Sequence, residues 1–127
     1  MINVVAALIF KNNKCLIARR STGDSNVLGK WEFPGGKVQP GEDEKHAIER
    51  EINEEFELII KANEFVIDNV CEYPTKTVDL KLYSCDYISG DFNLHDHSEY
   101  KWVSIEDLLT YDLCPADIPL AKYVKEM

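Results

Sequence analysis

The sequence predicts one layered domain of the α+β or α/β type. Three observations carry this. The chain has 127 residues, the length of one compact domain and enough to bury a core without staples. Its patterns run strands, helix, strands, helix, which calls for a sheet with helices laid on it. Neither an internal repeat nor a linker-like stretch divides it.

In chain order, Val4–Phe10 reads as a buried strand, and Asn12-Asn13 as a hairpin turn into a second strand, Cys15–Arg20. The stretch from Ser21 to Lys30 is polar and contains glycine, so it reads as a mobile loop. Trp31-Glu32-Phe33 is short and extended, because Pro34 disfavours helix at the residue before it. Gly35-Gly36 and Pro40-Gly41 read as tight turns. A helix follows from about Glu42 to Phe56. Phe65–Tyr73 and Thr77–Tyr87 read as paired strands, with alternation through Val78, Leu80 and Leu82 in the second. Ser89-Gly90-Asp91 turns the chain toward a short strand, Tyr100–Val103. Ser104 to Asp107 resembles a capping box. A last helix is expected after Pro115, from Ala116 to about Lys125.

The formal net charge is −9. This disfavours binding to polymeric nucleic acid or an anionic membrane. It leaves room for a small phosphate-bearing substrate whose charge metal ions neutralise. The longest apolar run, Val4–Phe10, is far too short to span a bilayer and lacks the flanks of a secretory signal. Cys15, Cys71, Cys85 and Cys114 are widely spaced without a CxxC pair. They read as reduced, mostly buried thiols of a cytoplasmic protein.

The helix carries unusual chemistry. With Glu51 at zero, Glu55 lies at about +40° and Glu54 at about −60° around an ideal helix. Ile48, Ile52 and Phe56 fall at about 60°, 100° and 140° and form a separate apolar face. Glu51 and Glu55 repel at i,i+4, a cost that a divalent cation reverses. Oxygen-only ligands suit a hard ion, Mg²⁺ or Mn²⁺, rather than zinc. Gly35-Gly36 lets the backbone approach a ligand and aim a carbonyl at it. Arg50, at about −100°, lies beyond the acid arc and is placed to hold a glutamate by a bidentate pair. The competing reading is a solvated acidic face, which is common on helices. The fixed offsets of glycine, proline and arginine weigh against it.

Those offsets are Gly36, five residues, Glu42, seven residues, then Arg50-Glu51-Ile52-Asn53-Glu54-Glu55-Phe56-Glu57-Leu58. The segment resembles the Nudix box, with Glu57 standing where the family usually has glycine. Trp31 to Lys37 resembles the entry to the box in the MutT-like branch of nucleotide-pool enzymes. The resemblance implies a mixed sheet packed between helices, an α/β/α sandwich. It also implies Mg²⁺-dependent hydrolysis of a nucleoside triphosphate to a monophosphate and pyrophosphate. The Gly35 carbonyl, Glu51, Glu54 and Glu55 would be metal ligands, joined by Asp96 from a later loop. Glu51 would be the base, supported by Glu42 and Arg50. Arg20, Lys37, Tyr73 and Lys76 fall near substrate-contacting positions, and Trp31, Phe33 and Tyr73 could supply a stacking wall.

The Cys114-to-Leu120 segment resembles the branch acting on CTP and modified dCTP. An ionised Asp117 accepts hydrogen bonds and suits the exocyclic amine of cytosine, and a protonated Asp117 could donate to cytosine N3. It could also accept from guanine N1–H and N2–H₂, or simply cap the last helix. The favoured substrate is therefore (d)CTP or a 5-substituted dCTP. The rivals are an 8-oxo-dGTP diphosphatase and a non-catalytic nucleotide-sensing module. A monomer or homodimer is expected.

Overall fold

The computed structural model describes residues 1–127. Seven strands form one sheet: β1 (Ile2–Lys11), β2 (Lys14–Arg20), β3 (Trp31–Glu32), β4 (Gly35–Lys37), β5 (Ile59–Tyr73), β6 (Lys76–Ser89) and β7 (His97–Ser104). Two α-helices, α1 (Glu44–Phe56) and α2 (Ile118–Lys125), complete it with 3-10 turns at Ile105–Thr110 and Pro115–Asp117. The main path runs β3-β2-β1-β6-β5. β1 and β6 are parallel from Ile2↔Val78 to Phe10↔Asp86, whereas the other strand pairs are antiparallel. The sheet is therefore mixed, as expected.

Alternation along β1 sends its side chains to two cores, as the two-residue period of a strand requires. Val5, Ala7 and Ile9 pack with Ala47, Ile48, Ile52 and Phe56 of α1. Ala6 and Leu8 pack with Leu120, Ala121 and Val124 of α2. One helix covers each face, giving the sandwich. No helix is long and apolar enough to cross a membrane, and all four cysteines are free thiols.

The turn between β1 and β2 sits at Asn12 (φ 53°) and Asn13 (φ 64°), the left-handed pair that a two-residue hairpin demands. Beyond it, β1 and β2 pair directly only at Phe10↔Cys15 and Lys11↔Lys14. The strands then diverge. β4 takes the partner's place beside Val4–Ala6, and β3 does so beside Ala18–Arg19. The mouth of this fork is where the site forms.

Four expectations need correction. Gly35-Gly36 is not a tight turn but strand β4. A Cβ on Gly35 would collide with the Val5 carbonyl oxygen, so glycine here serves close strand contact. Helix α1 begins at Glu44, because Asp43 is its N-cap and accepts from the His46 N–H at 3.3 Å. Ser104 makes no side-chain cap, and a 3-10 turn follows it. The last α-helix starts at Ile118, after a 3-10 turn that begins at Pro115. The strands also run longer than expected. β5 reaches back to Ile59 through three register irregularities, which blur its alternation in the sequence.

Glu57 caps α1 in the left-handed conformation, φ 58° and ψ 33°, with its N–H bonded to the Asn53 carbonyl. This is the geometry that glycine ordinarily provides at a helix end. Its carboxylate meets His95 Nε2 at 2.8 Å, both side chains half-exposed. The left-handed backbone costs a non-glycine residue about 1 kcal/mol, and an exposed side-chain contact of this kind returns about 0.5 kcal/mol. Glu57→Gly should therefore raise stability by about 0.5 kcal/mol, read as a higher urea midpoint at unchanged slope. A lower midpoint would show that the His95 contact outweighs the strain.

Candidate functional site

Ala47, Ile48, Ile52 and Phe56 bury one side of α1, so the acids between them face the mouth of the fork. Arg50 organises them. Its Nε and Nη2 grip both oxygens of Glu42 at 2.7 and 2.9 Å. Its Nη1 donates to Glu51 at 3.0 Å and Glu54 at 3.2 Å, and Nη2 also reaches the Lys37 carbonyl at 3.2 Å. The Arg50 bonds pull the Glu42 carboxyl down to about 2. The Glu42 bonds raise Arg50 in turn.

Glu51 and Glu55 line a cavity of about 380 Å³ with Gly35, Gly36 and Asp96, a size suited to a small ligand. A Cβ on Gly36 would collide with the Glu51 carboxyl, so a side chain here would displace Glu51 from its place beside β4. Burial raises the Glu51 carboxyl, with Arg50 opposing. The Glu55 carboxyl is pushed up to about 7, first by burial, then by its hydrogen bond to Asp96 and that group's charge. Glu55 Oε2 is buried without a hydrogen-bond partner.

Asp96 reaches the site on a loop fastened to the end of α1. Asn93 N–H bonds the Phe56 carbonyl at 3.1 Å and His95 N–H bonds the Glu55 carbonyl at 3.3 Å. An orphaned buried acceptor beside two further carboxylates offers only oxygen donors. That set fits a hard divalent cation. Glu54 is set apart from it: its side chain is 57% exposed, bonded to Arg50, and outside the cavity lining.

The other end of the cavity is built from Arg20, Glu32, Phe33, Tyr73, Lys76, Cys114 and Asp117, and Lys37 lies along the wall. Arg20 bonds Glu32 at 3.1 Å. Asp117 is 4% exposed and accepts the Phe33 N–H at 2.9 Å. It makes no helix-capping bond, which removes the capping alternative. Burial and then the charge of Glu32 push its carboxyl well above the ordinary carboxylate range. Tyr73 oxygen accepts the Ala116 N–H at 3.3 Å, and burial raises its hydroxyl to about 12.

Glu32, Cys114 and Asp117 place one ligand atom each within 4.8 Å of one another. This group fits a hard cation poorly. Arg20 already neutralises Glu32, and burial raises the Cys114 thiol far above neutrality. Trp31 is absent from the cavity. It packs in the core against Tyr111, ring centroids 5.6 Å apart, so of the three aromatic residues expected there only Phe33 and Tyr73 line the cavity.

Two residues of the site were not foreseen, Glu32 and His97. Neither stands among the metal- or substrate-binding positions that the sequence marks. In fact Glu32 sits two positions before Pro34 on an inward-facing strand, and His97 opens β7 with its side chain 4% exposed. A charged residue inside an aromatic-proline-glycine stretch is a signal that could have found the first. Nothing local announces the second.

A profile of the NUDIX domain matches residues 1–124. The chain belongs to the Nudix family. It is 38% identical over 120 residues to the CTP pyrophosphohydrolase of Escherichia coli K12, covering 94% of this chain and 88% of that one. It is 34% identical over 117 residues to a putative 8-oxo-dGTP diphosphatase 2 of Mycobacterium tuberculosis, covering 90% and 81%. The crystal structure of a MutT protein from Methanosarcina mazei Go1 superposes with TM-score 0.85 at 31% identity, covering 98% and 91%. The chain is a Nudix nucleotide pyrophosphohydrolase, and the family uses a divalent metal.

Glu55 yields a pH prediction. Its folded pKa, about 7, lies above the ordinary 4.5. Its contribution to stability of the metal-free protein is therefore full below about 4.5 and lost as pH rises through about 7. Metal binding needs the carboxylate, so affinity should change in the opposite sense. Mn²⁺ affinity, followed by water-proton relaxation between pH 5.5 and 8, should fall about tenfold per unit below pH 7 and level off above it. A flat profile would remove Glu55 from the metal site.

Proposed function

We propose that this Nudix hydrolase converts (d)CTP or a 5-substituted dCTP to the monophosphate and pyrophosphate with Mg²⁺, Mn²⁺ substituting. The observation that carries the base assignment is the buried Asp117 beside Glu32. Asp117 Oδ2 accepts the Phe33 N–H. Burial pushes this carboxyl toward its protonated form, in which its other oxygen would be a hydroxyl donor. Glu32, paired with Arg20, is an acceptor. One donor and one acceptor match cytosine, whose N3 accepts and whose 4-amine donates. Uracil presents the reverse pattern at the same two positions. Phe33 and Tyr73 give the ring apolar surface.

At the other end, the Gly35 carbonyl, Glu51, Glu55 and Asp96 are the groups proposed to hold Mg²⁺, with Glu54 at the rim. A bound cation would neutralise the polyphosphate and lower the pKa of a bound water. Glu51, partly buried and held by Arg50, would take a proton from the attacking water. Arg20, Lys37 and Lys76 supply positive charge along the cavity for phosphate or sugar. Glu42 and Arg50 act by holding Glu51.

A panel of triphosphates assayed with product identification tests this. Release of pyrophosphate should be fastest from dCTP or a 5-substituted dCTP, and Glu51→Gln should lower kcat by about 10²–10⁴. No pyrophosphate from any triphosphate would reject the reading, and an unchanged kcat in Glu51→Gln would reject that residue as base. Side-by-side kcat/KM on 8-oxo-dGTP and 5-methyl-dCTP separates the guanine rival. Asp117→Asn should shift that ratio by about tenfold or more, the worth of one hydrogen bond to a base.

A further inference from the structure

We propose that His97 is a positioning residue for the base end of the cavity: it fixes the Glu32 carboxylate, and base discrimination depends on it through Glu32. The proposal rests on the reading of Glu32 and Asp117 as the acids that meet the base.

The imidazole is clamped. Its ring stacks on Phe56, centroids 4.9 Å apart and planes at 23°. Nε2 lies 2.9 Å from Glu32 Oε2. A carboxylate oxygen accepts, so Nε2 is the donor of this pair. Glu32 is then gripped from two sides. Arg20 Nη1 lies 3.1 Å from Oε1 and 3.4 Å from Oε2, while His97 takes Oε2.

The two grips differ in stiffness. Arg20 is 31% exposed, and its Nε donates to Thr22 of the adjoining loop at 3.3 Å. His97 is almost wholly enclosed and rests on the end of α1. It therefore sets the carboxylate to better than Arg20 alone could. The ring's remaining nitrogen faces the metal end: Nδ1 is 4.0 Å from Glu55 Oε2, and neither atom has a hydrogen-bond partner. The bond that exists is to the base end, so loss of His97 falls on base binding and selectivity rather than on the chemical step.

The test is steady-state kinetics with Mg²⁺ on dCTP, dUTP and dGTP. The proteins are the parent, His97→Phe, His97→Gln, Glu32→Gln and the His97→Phe/Glu32→Gln double variant. Phenylalanine keeps the stack and removes the donor. His97→Phe should raise KM for dCTP about tenfold and shrink the dCTP-to-dUTP ratio of kcat/KM about as much. Its kcat should stay within about threefold of the parent. Glutamine restores a donor and should recover most of the ratio. In the Glu32→Gln background, His97→Phe should add nothing. A loss confined to kcat and equal for all bases would overturn the proposal, as would full additivity with Glu32→Gln. If Glu32→Gln and Asp117→Asn also leave the base ratio unchanged, the base-pocket reading itself falls. If they change it and His97→Phe does not, only the role of His97 falls. Should His97→Phe fail to fold, His97→Asn, too short to reach Glu32, carries the same expectations.

Discussion

One side chain, Arg50, holds the acidic end of this site together. It binds both oxygens of Glu42, one oxygen each of Glu51 and Glu54, and the Lys37 carbonyl. The helix acids repel one another, and a single planar guanidinium with five donors is the side chain able to bridge them in fixed geometry. The same bonds fasten α1 to strand β4. Without that connection the acids and the glycine pair would still be present but would not face a common space.

The glycines complete this junction. Gly35 has no room for a side chain because β4 lies against β1, and Gly36 has none because Glu51 lies against β4. The fork in the sheet, where β1 and β2 part after two paired positions, supplies the cavity between them. Helix α1 and the Asp96 loop close one end, and the Cys114–Asp117 turn closes the other. The two ends differ in kind. The α1 end gathers carboxylates around an orphaned acceptor, Glu55 Oε2. The other end sets Asp117, whose carboxyl burial pushes well above the ordinary range, beside Glu32, which Arg20 bonds.

Much of this was legible in the sequence. The acid face of α1, its apolar counterface and the role of Arg50 follow from helical period alone. The succession of strands and helices along the chain and the hairpin at Asn12-Asn13 follow from apolar runs and turn chemistry. Other parts were hidden by distance along the chain. Glu32 and His97 are 65 residues apart and meet only because β2 pairs with both β3 and β7. Trp31 could not be told from a base-stacking residue until Tyr111 and Leu113 were seen to cover it. Glu54 shares the helical arc of Glu51 and Glu55, yet its rotamer turns to Arg50 instead of the cavity. The Gly35-Gly36 pair looked like a turn because local chemistry cannot reveal that another strand presses on it.

We propose that one cavity takes metal at its α1 end and the base at its Asp117 end. A crystal structure of the protein with Mn²⁺ and a non-hydrolysable dCTP analogue tests it most directly. Anomalous scattering should place manganese on Glu51, Glu55 and the Gly35 carbonyl, with the cytosine edge against Asp117 and Glu32. Manganese seated instead among Glu32, Cys114 and Asp117, or a base lying outside that pocket, would contradict the account.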